Sequence, residues 1–107
     1  MNYPVVTLDD YLTKHDGKAS LVMVTDDAMV KAGLVKGDLI AIEQREVSPY
    51  GSIVAAVQAG KPVVRYLECR ALVGADGSRI EGKPELLGVM VALIRRTRPA
   101  SKLTLTK

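Results

Sequence analysis

Residues 24–43 read Val24-Thr25-Asp26-Asp27-Ala28-Met29-Val30-Lys31-Ala32-Gly33, then Leu34-Val35-Lys36-Gly37-Asp38-Leu39-Ile40-Ala41-Ile42-Glu43. Asp26 or Asp27 is placed to cap a single helical turn over residues 28–32, because a short carboxylate accepts the free N–H groups at a helix start. Residues 35–38 carry turn chemistry, with Gly37 and Asp38 at the bend. The five residues 39–43 are an apolar run of strand length. Turn, tight bend and buried strand in twenty residues predict a short connector leading into a sheet.

The flanks extend that pattern. Residues 7–15 (TLDDYLTKH) predict a short helix capped by Thr7, with Leu8, Tyr11 and Leu12 on one face and Gly17 as its stop. Residues 20–25 predict a strand. Residues 53–57 and 62–67 predict a hairpin about Ala59-Gly60, with Pro62 at a strand start or sheet edge. Asp76-Gly77 predicts a second hairpin, between CRALV and SRIEG. Residues 86–95 predict a last strand, apolar enough to be covered on both faces. Residues 102–106 (KLTLT) alternate and predict an edge strand. About seven short strands and one or two short helices make a mostly β chain, with a curled antiparallel, barrel-like sheet. The expected core includes Leu21, Val24, Met29, Leu34, Leu39, Ile40, Ile42, Ile53, Val54, Val57, Val64 and Leu67.

Composition narrows the function classes. The 107 residues are 48% apolar and 25% charged, which suits one folded domain and excludes a wholly disordered chain. The single cysteine, Cys69, excludes an intrachain disulfide, and one histidine excludes a Cys/His metal cluster. No cofactor or metal is expected. Gly33 and Gly37 lack the spacing of a phosphate loop. The opening MNYPVVTLDD lacks a signal peptide's basic and apolar regions, and no apolar run reaches membrane-spanning length. A cytoplasmic protein is expected. All 12 acidic residues lie at or before Glu85, whereas Arg95, Arg96, Arg98, Lys102 and Lys107 are basic. Up to residue 94 the chain carries 10 basic and 12 acidic residues, a mildly acidic body. We divide the chain into one domain, residues 1–96, and a basic tail, residues 97–107.

The box Thr25-Asp26-Asp27-Ala28-Met29, followed by Lys36-Gly37-Asp38 and an apolar strand, resembles the catalytic domain of LexA and UmuD. These are the self-cleaving serine peptidases of the bacterial DNA-damage response, whose pattern is S-G-x-S-M and then D-G-D. UmuD is the closer match. The likeness runs without gaps over residues 6–67 and includes His15, Asp27, Met29, Gly33, Gly51 and Gly60. Beyond Leu67 it weakens: VGADGSRIEGKPEL replaces a longer segment with a P-x-N-x-x-Y-x-P signature. Leu87-Gly88-Val89-Met90 again resembles the family's final strand.

The resemblance implies a Ser–Lys dyad, in which lysine takes the proton of the attacking serine. The serine position falls on Ala28 and the lysine position on Arg65. A methyl group cannot attack a carbonyl, and a guanidinium offers no lone pair to accept a proton. Arg65 also speaks against a deliberate inactivation, for which one change suffices. Thr25 is a poor substitute nucleophile without a base. Asp26 and Asp27, adjacent in an extended segment, point apart and read as caps rather than a catalytic pair. His15 suits a helix C-terminus, and Cys69 a small buried hydrophobe. Ala28 is expected to face Arg65 across a remnant cleft with Asp26, Asp27 and Met29, and one of the two aspartates to partner the guanidinium.

The expected function is therefore that of a non-enzymatic, UmuD-like pseudo-peptidase acting through protein contacts in the DNA-damage (SOS) and translesion-synthesis response. It would serve as a polymerase accessory or as a decoy dimerisation partner. The resemblance implies a homodimer, and as further partners a Y-family DNA polymerase, the RecA filament or an active UmuD- or LexA-like protein. Only five residues precede Val6, so neither a cleavable arm nor a helix-turn-helix is expected. Leu103 and Leu105, on one side of the alternating tail, are expected at the dimer interface. Two alternatives stand beside this reading: a self-cleaving peptidase with an unusual nucleophile, and a nucleic-acid binder using the basic tail.

Overall fold

A computed structural model describes residues 3–17, 19–45, 50–68, 71–81 and 85–95. The elements in chain order are β1 (Val5–Thr7), α1 (Leu8–Lys14), β2 (Ser20–Met23), a 3-10 turn (Val30–Ala32) and β3 (Leu39–Glu43). They continue with β4 (Tyr50–Gln58), β5 (Lys61–Glu68), β6 (Ala71–Val73), β7 (Arg79–Ile80) and β8 (Glu85–Arg95). The strands form one sheet in the order β2-β3-β8-β4-β5-β6-β7, with β1 added in parallel to β8. The sheet is mostly antiparallel, and curled rather than closed.

The apolar strand β8 is the spine. Val89 faces Glu43 across one edge and Val54 across the other, and Leu93 likewise has Ile40 and Val5 as neighbours. Strands β4 and β1 therefore share one edge of β8, while β3 takes the other. Register shifts at Ala41/Ile42, Ala55/Ala56 and Tyr50/Ser52 bend the strands where the sheet curls. Gly88 lets β8 approach β3: a Cβ there would lie 3.1 Å from the Glu43 carbonyl oxygen and 3.2 Å from Ile42 Cβ.

The helix is that expected, one residue shorter at each end. Thr7 caps it by accepting from the Asp10 N–H, and the Gly17 N–H bonds to the Leu12 carbonyl beyond its end. The predicted turn at residues 28–32 is shorter, a 3-10 turn over Val30–Ala32 with no side-chain cap. The hairpin at Ala59-Gly60 forms with both residues at positive φ, +52° and +80°. The Asp76-Gly77 hairpin forms with a wider loop, residues 74–78. Strand β1 was not expected: three residues carry too little periodicity to register, and only pairing with β8 makes them a strand.

Among the described residues, three apolar clusters hold the sheet. The principal one joins Val24, Met29, Leu34, Ile40, Ala55, Val64 and Leu93, among others, on the inner face. A second packs Tyr11 of α1 against Ala41, Ala92 and Ile94. A third gathers Val54, Ala56, Leu67 and Leu72. Four expected core residues need correction. Leu21 is exposed, because it lies on β2, an edge strand among the described residues. Leu39, Ile53 and Val57 are half-buried. Both faces of β8's last turn of sequence, Ala92–Ile94, are covered, as expected, but the second cover is the chain's own helix. Cys69, Leu103, Leu105, the tail 97–107 and the predicted strand 102–106 lie outside the described residues.

Candidate functional site

The turn after β2 and the middle of β5 meet at Asp26. Arg65 alternates into the buried face of β5 opposite Val54, and its side chain is only 10% exposed. A charge so placed needs an opposite partner, and a fork of donors suits a carboxylate. Arg65 Nη1 donates to Asp26 Oδ1 at 3.1 Å and Nη2 to Asp26 Oδ2 at 2.9 Å. Nη1 also donates to the Val64 carbonyl at 2.8 Å. Nε is buried with no hydrogen-bond partner among the described residues. The Asp26 carboxyl is held below its ordinary range, first by the hydrogen bonds from Arg65, against the opposing effect of burial.

Asp26 Oδ1 accepts a second bond, from the Ala28 backbone N–H at 3.1 Å. This closes a local side-chain turn of the kind aspartate favours. The buried Ala28 is thereby tied to Arg65 through one oxygen atom. Of the two aspartates expected as partners, Asp26 takes the role. Asp27 is exposed, with no side-chain bond among the described residues. Met29, expected both in the core and at the cleft, is fully buried in the principal core and lines no open surface there.

A third segment reaches the same place. The Asp76 N–H donates to the Ala28 carbonyl at 3.2 Å, and a Cβ on Gly74 would come within 3.1 Å of Ala28 Cβ. Asp76 Oδ1 accepts from the Ser78 N–H and hydroxyl, which, Ser78 first, draw its carboxyl below the ordinary range. The sequence shows Asp76-Gly77 only as a turn; nothing in its spacing says that the curl of the sheet returns this loop to Ala28.

The remaining candidates lie elsewhere. Thr25 Oγ1 donates to the Pro62 carbonyl at 3.4 Å on the exposed side. His15 caps α1, stacks on the Tyr11 ring at 4.1 Å and approaches Glu43 at 3.4 Å. Glu43 also accepts from Arg45 and from the Tyr11 hydroxyl, and these contacts, Arg45 first, lower its carboxyl. One cleft of about 610 Å³ opens beside Tyr3, Gly33 and Tyr66, and another of about 820 Å³ beside Tyr11, His15 and Glu43. Neither is lined by Ala28 or Arg65. No group of three or more metal-ligating side chains occurs among the described residues. No helix among them is long and apolar enough to cross a membrane.

Comparison with known proteins identifies the fold's relatives. The family model described as Peptidase S24-like matches residues 2–73. The chain belongs to that family. It is similar to the LexA repressor of Clostridium perfringens, 36% identical over 52 residues, which cover 49% of this chain and 26% of that protein. It is 31% identical over 88 residues to the LexA repressor of Frankia casuarinae, covering 76% of this chain and 34% of the relative. The LexA repressor of Mycobacterium leprae is 38% identical over 50 residues, 47% of this chain and 21% of its own length. The chain thus spans about a fifth to a third of the curated relatives it matches. The stretch matched by the Peptidase S24-like model contains the Asp26 turn and all of β5. It ends at Val73, just before the loop that closes on Ala28. The curled sheet agrees with a LexA/UmuD-like domain.

Proposed function

We propose that this Peptidase S24-like domain is a pseudo-peptidase, which keeps the family's fold and works through protein contacts without peptide cleavage. The observation that carries the reading is the pairing at Ala28 and Arg65. These residues occupy the positions that the resemblance gives to the nucleophile and the general base. Between them stands a carboxylate that holds the guanidinium in a fork and binds the Ala28 backbone. Cleavage needs a nucleophile and a group that can take its proton. A methyl group and an ion-paired guanidinium supply neither. The domain acts in the DNA-damage response, as a polymerase accessory or as a decoy that pairs with an active LexA- or UmuD-like protein, and it associates with a second copy of itself.

The direct test is prolonged alkaline incubation of the full chain, alone and with a peptide carrying an Ala-Gly or Cys-Gly cleavage site from a family arm, followed by mass spectrometry. Alkali promotes the family reaction by deprotonating lysine, a titration closed to a guanidinium. Intact masses throughout are expected. A fragment ending at one defined bond would refute the reading. Co-purification from DNA-damaged cells separates the two modes, through recovery of a polymerase or of an active family member.

A further inference from the structure

Ala28 is enclosed by its own chain. Asp26 Oδ1 accepts from its N–H at 3.1 Å, and its carbonyl accepts from the Asp76 N–H at 3.2 Å. Gly74 lies against its methyl group, since a Cβ on Gly74 would come 3.1 Å from Ala28 Cβ. Only 8% of Ala28 is exposed, and the clefts beside Tyr3 and beside Tyr11 are lined by other residues. We infer that the loop of residues 74–78 is a built-in plug, which takes at Ala28 the place of an extended peptide and shuts peptides out of it.

The inference rests on reading Ala28 as the family's nucleophile position. A peptide held there in extended form would need free backbone groups at the turn, because main-chain hydrogen bonds supply much of the grip on a strand-like ligand. Its carbonyl, on attack, would need a backbone N–H aimed at the developing oxyanion. Both groups of Ala28 are engaged. Its N–H is held from the Arg65 side through Asp26, and its carbonyl from the opposite segment by the loop. The backbone of residue 76 thus makes with Ala28 the kind of contact that a peptide would make.

The loop is shaped in advance for this. It joins β6 to β7, which pair through Leu72 with Ile80 and Val73 with Arg79. The Gly74 N–H donates to the Ser78 carbonyl at 2.8 Å, and the Gly77 N–H to the Gly74 carbonyl at 3.0 Å. Asp76 Oδ1 accepts from the Ser78 N–H at 2.9 Å and from the Ser78 hydroxyl at 2.6 Å. With its shape fixed by these bonds, the loop loses little further entropy when it settles on Ala28. Ala75 packs on the principal core, and Gly74 is buried where a side chain has no room. A Cβ at residue 74 would stand 2.5 Å from Asp76 Oδ1 and 2.6 Å from Ser78 Oγ. The hold on Ala28 itself is slight, and β6 and β7 lie at the end of the strand order. The loop can therefore be displaced without breaking the centre of the sheet.

Two readouts on the full chain test the plug. In the natural protein the Asp76 amide, bonded to the Ala28 carbonyl, should exchange at least about tenfold more slowly than in an unstructured chain. The second readout is alkylation of Ala28→Cys by iodoacetamide, with Cys69→Ser so that the thiol at position 28 is the only one. Adding Gly74→Val should speed both alkylation and Asp76 exchange at least about tenfold, while amides of β3 and β8 keep their protection and show the fold intact. Ser78→Ala, which only loosens the loop's own bonds, gives the same comparison if Gly74→Val does not fold. Should the thiol itself displace the loop, the two rates should rise together. Fast alkylation beside a protected Asp76 amide would overturn the inference, as would slow alkylation once that amide is free. An unprotected Asp76 amide in the natural chain would overturn it too. Cleavage in the alkaline test would refute the pseudo-peptidase reading alone, and access to position 28 past a closed loop would refute the plug alone.

Discussion

Arg65 and Ala28 meet on a single atom. Asp26 Oδ1 accepts at 3.1 Å both from the guanidinium of Arg65 and from the backbone N–H of Ala28, residues 37 positions apart. The turn after β2 is thus fastened to the middle of β5, and through the Ala28 carbonyl to the loop at Asp76. Where the family resemblance implies a reacting pair, this chain has a fastening.

Removing the carboxylate should cost more than removing the charge it holds. Asp26→Ala leaves a buried guanidinium unpaired and is expected to lower stability by about 2 kcal/mol, discounted because Asp26 itself is 41% exposed. Arg65→Met removes the buried charge with a side chain of comparable length and should cost clearly less. Urea unfolding of the two variants checks the order. Equal losses would show that the pair is no stronger than a surface contact.

Acid should loosen the same fastening. The folded pKa of Asp26 is depressed below its ordinary 3.8, chiefly by the Arg65 hydrogen bonds. A depressed carboxyl stabilises the fold above its unfolded pKa, and that stability is lost as pH falls through the folded value. Glu43 and Asp76 are lowered too and lose their contributions in the same direction. Melting temperature should therefore be level near neutrality and fall at pH below about 4. In Arg65→Met the fall should be shallower; an unchanged acid limb would assign it to the other two carboxyls.

Restoring the oxygen alone should not restore chemistry. Ala28→Ser returns a hydroxyl to the turn, but the neighbouring guanidinium cannot take its proton. The variant is expected to remain unlabelled by a fluorophosphonate and intact at alkaline pH. Stoichiometric labelling would mean that a base outside the Arg65 position activates it.

One turn is under measurable strain. Ala59 sits at φ +52° in a two-residue hairpin loop, a region that Asn and Gly occupy more easily. Ala59→Asn, which makes the favoured Asn-Gly loop, should raise stability by about 0.5 kcal/mol. Urea midpoints of the two proteins decide it, and a lower midpoint would contradict the turn geometry.

Self-association is expected of the full chain at tens of micromolar, and weaker association of a chain ending at Thr97, which lacks Leu103 and Leu105. Sedimentation velocity reads both. A monomeric full chain would remove the second copy from the proposed function.

Local order was legible in the sequence wherever one stretch carried its own physics. Thr7 and Gly17 bounded a helix, an unbroken apolar run made Leu39–Glu43 a strand, and Ala59-Gly60 made a turn. Residue types at Ala28 and Arg65 also told what chemistry those positions lack, since neither a methyl group nor a guanidinium depends on its surroundings for that. Contacts between distant segments were another matter. Asp26 and Asp27 are equivalent as sequence, and only the curl of the sheet, which turns one of them towards β5, made Asp26 the partner of Arg65. Leu21 looks like a core residue until β2 proves to be an edge strand. The Asp76 loop reaches Ala28, and β1 becomes a strand, only through partners more than forty residues away. Hydrogen-bonding capacity and apolar periodicity are local properties that a sequence carries. Which of two equal side chains is buried against a third depends on bulges and strand order, and these exist only once the whole sheet has formed.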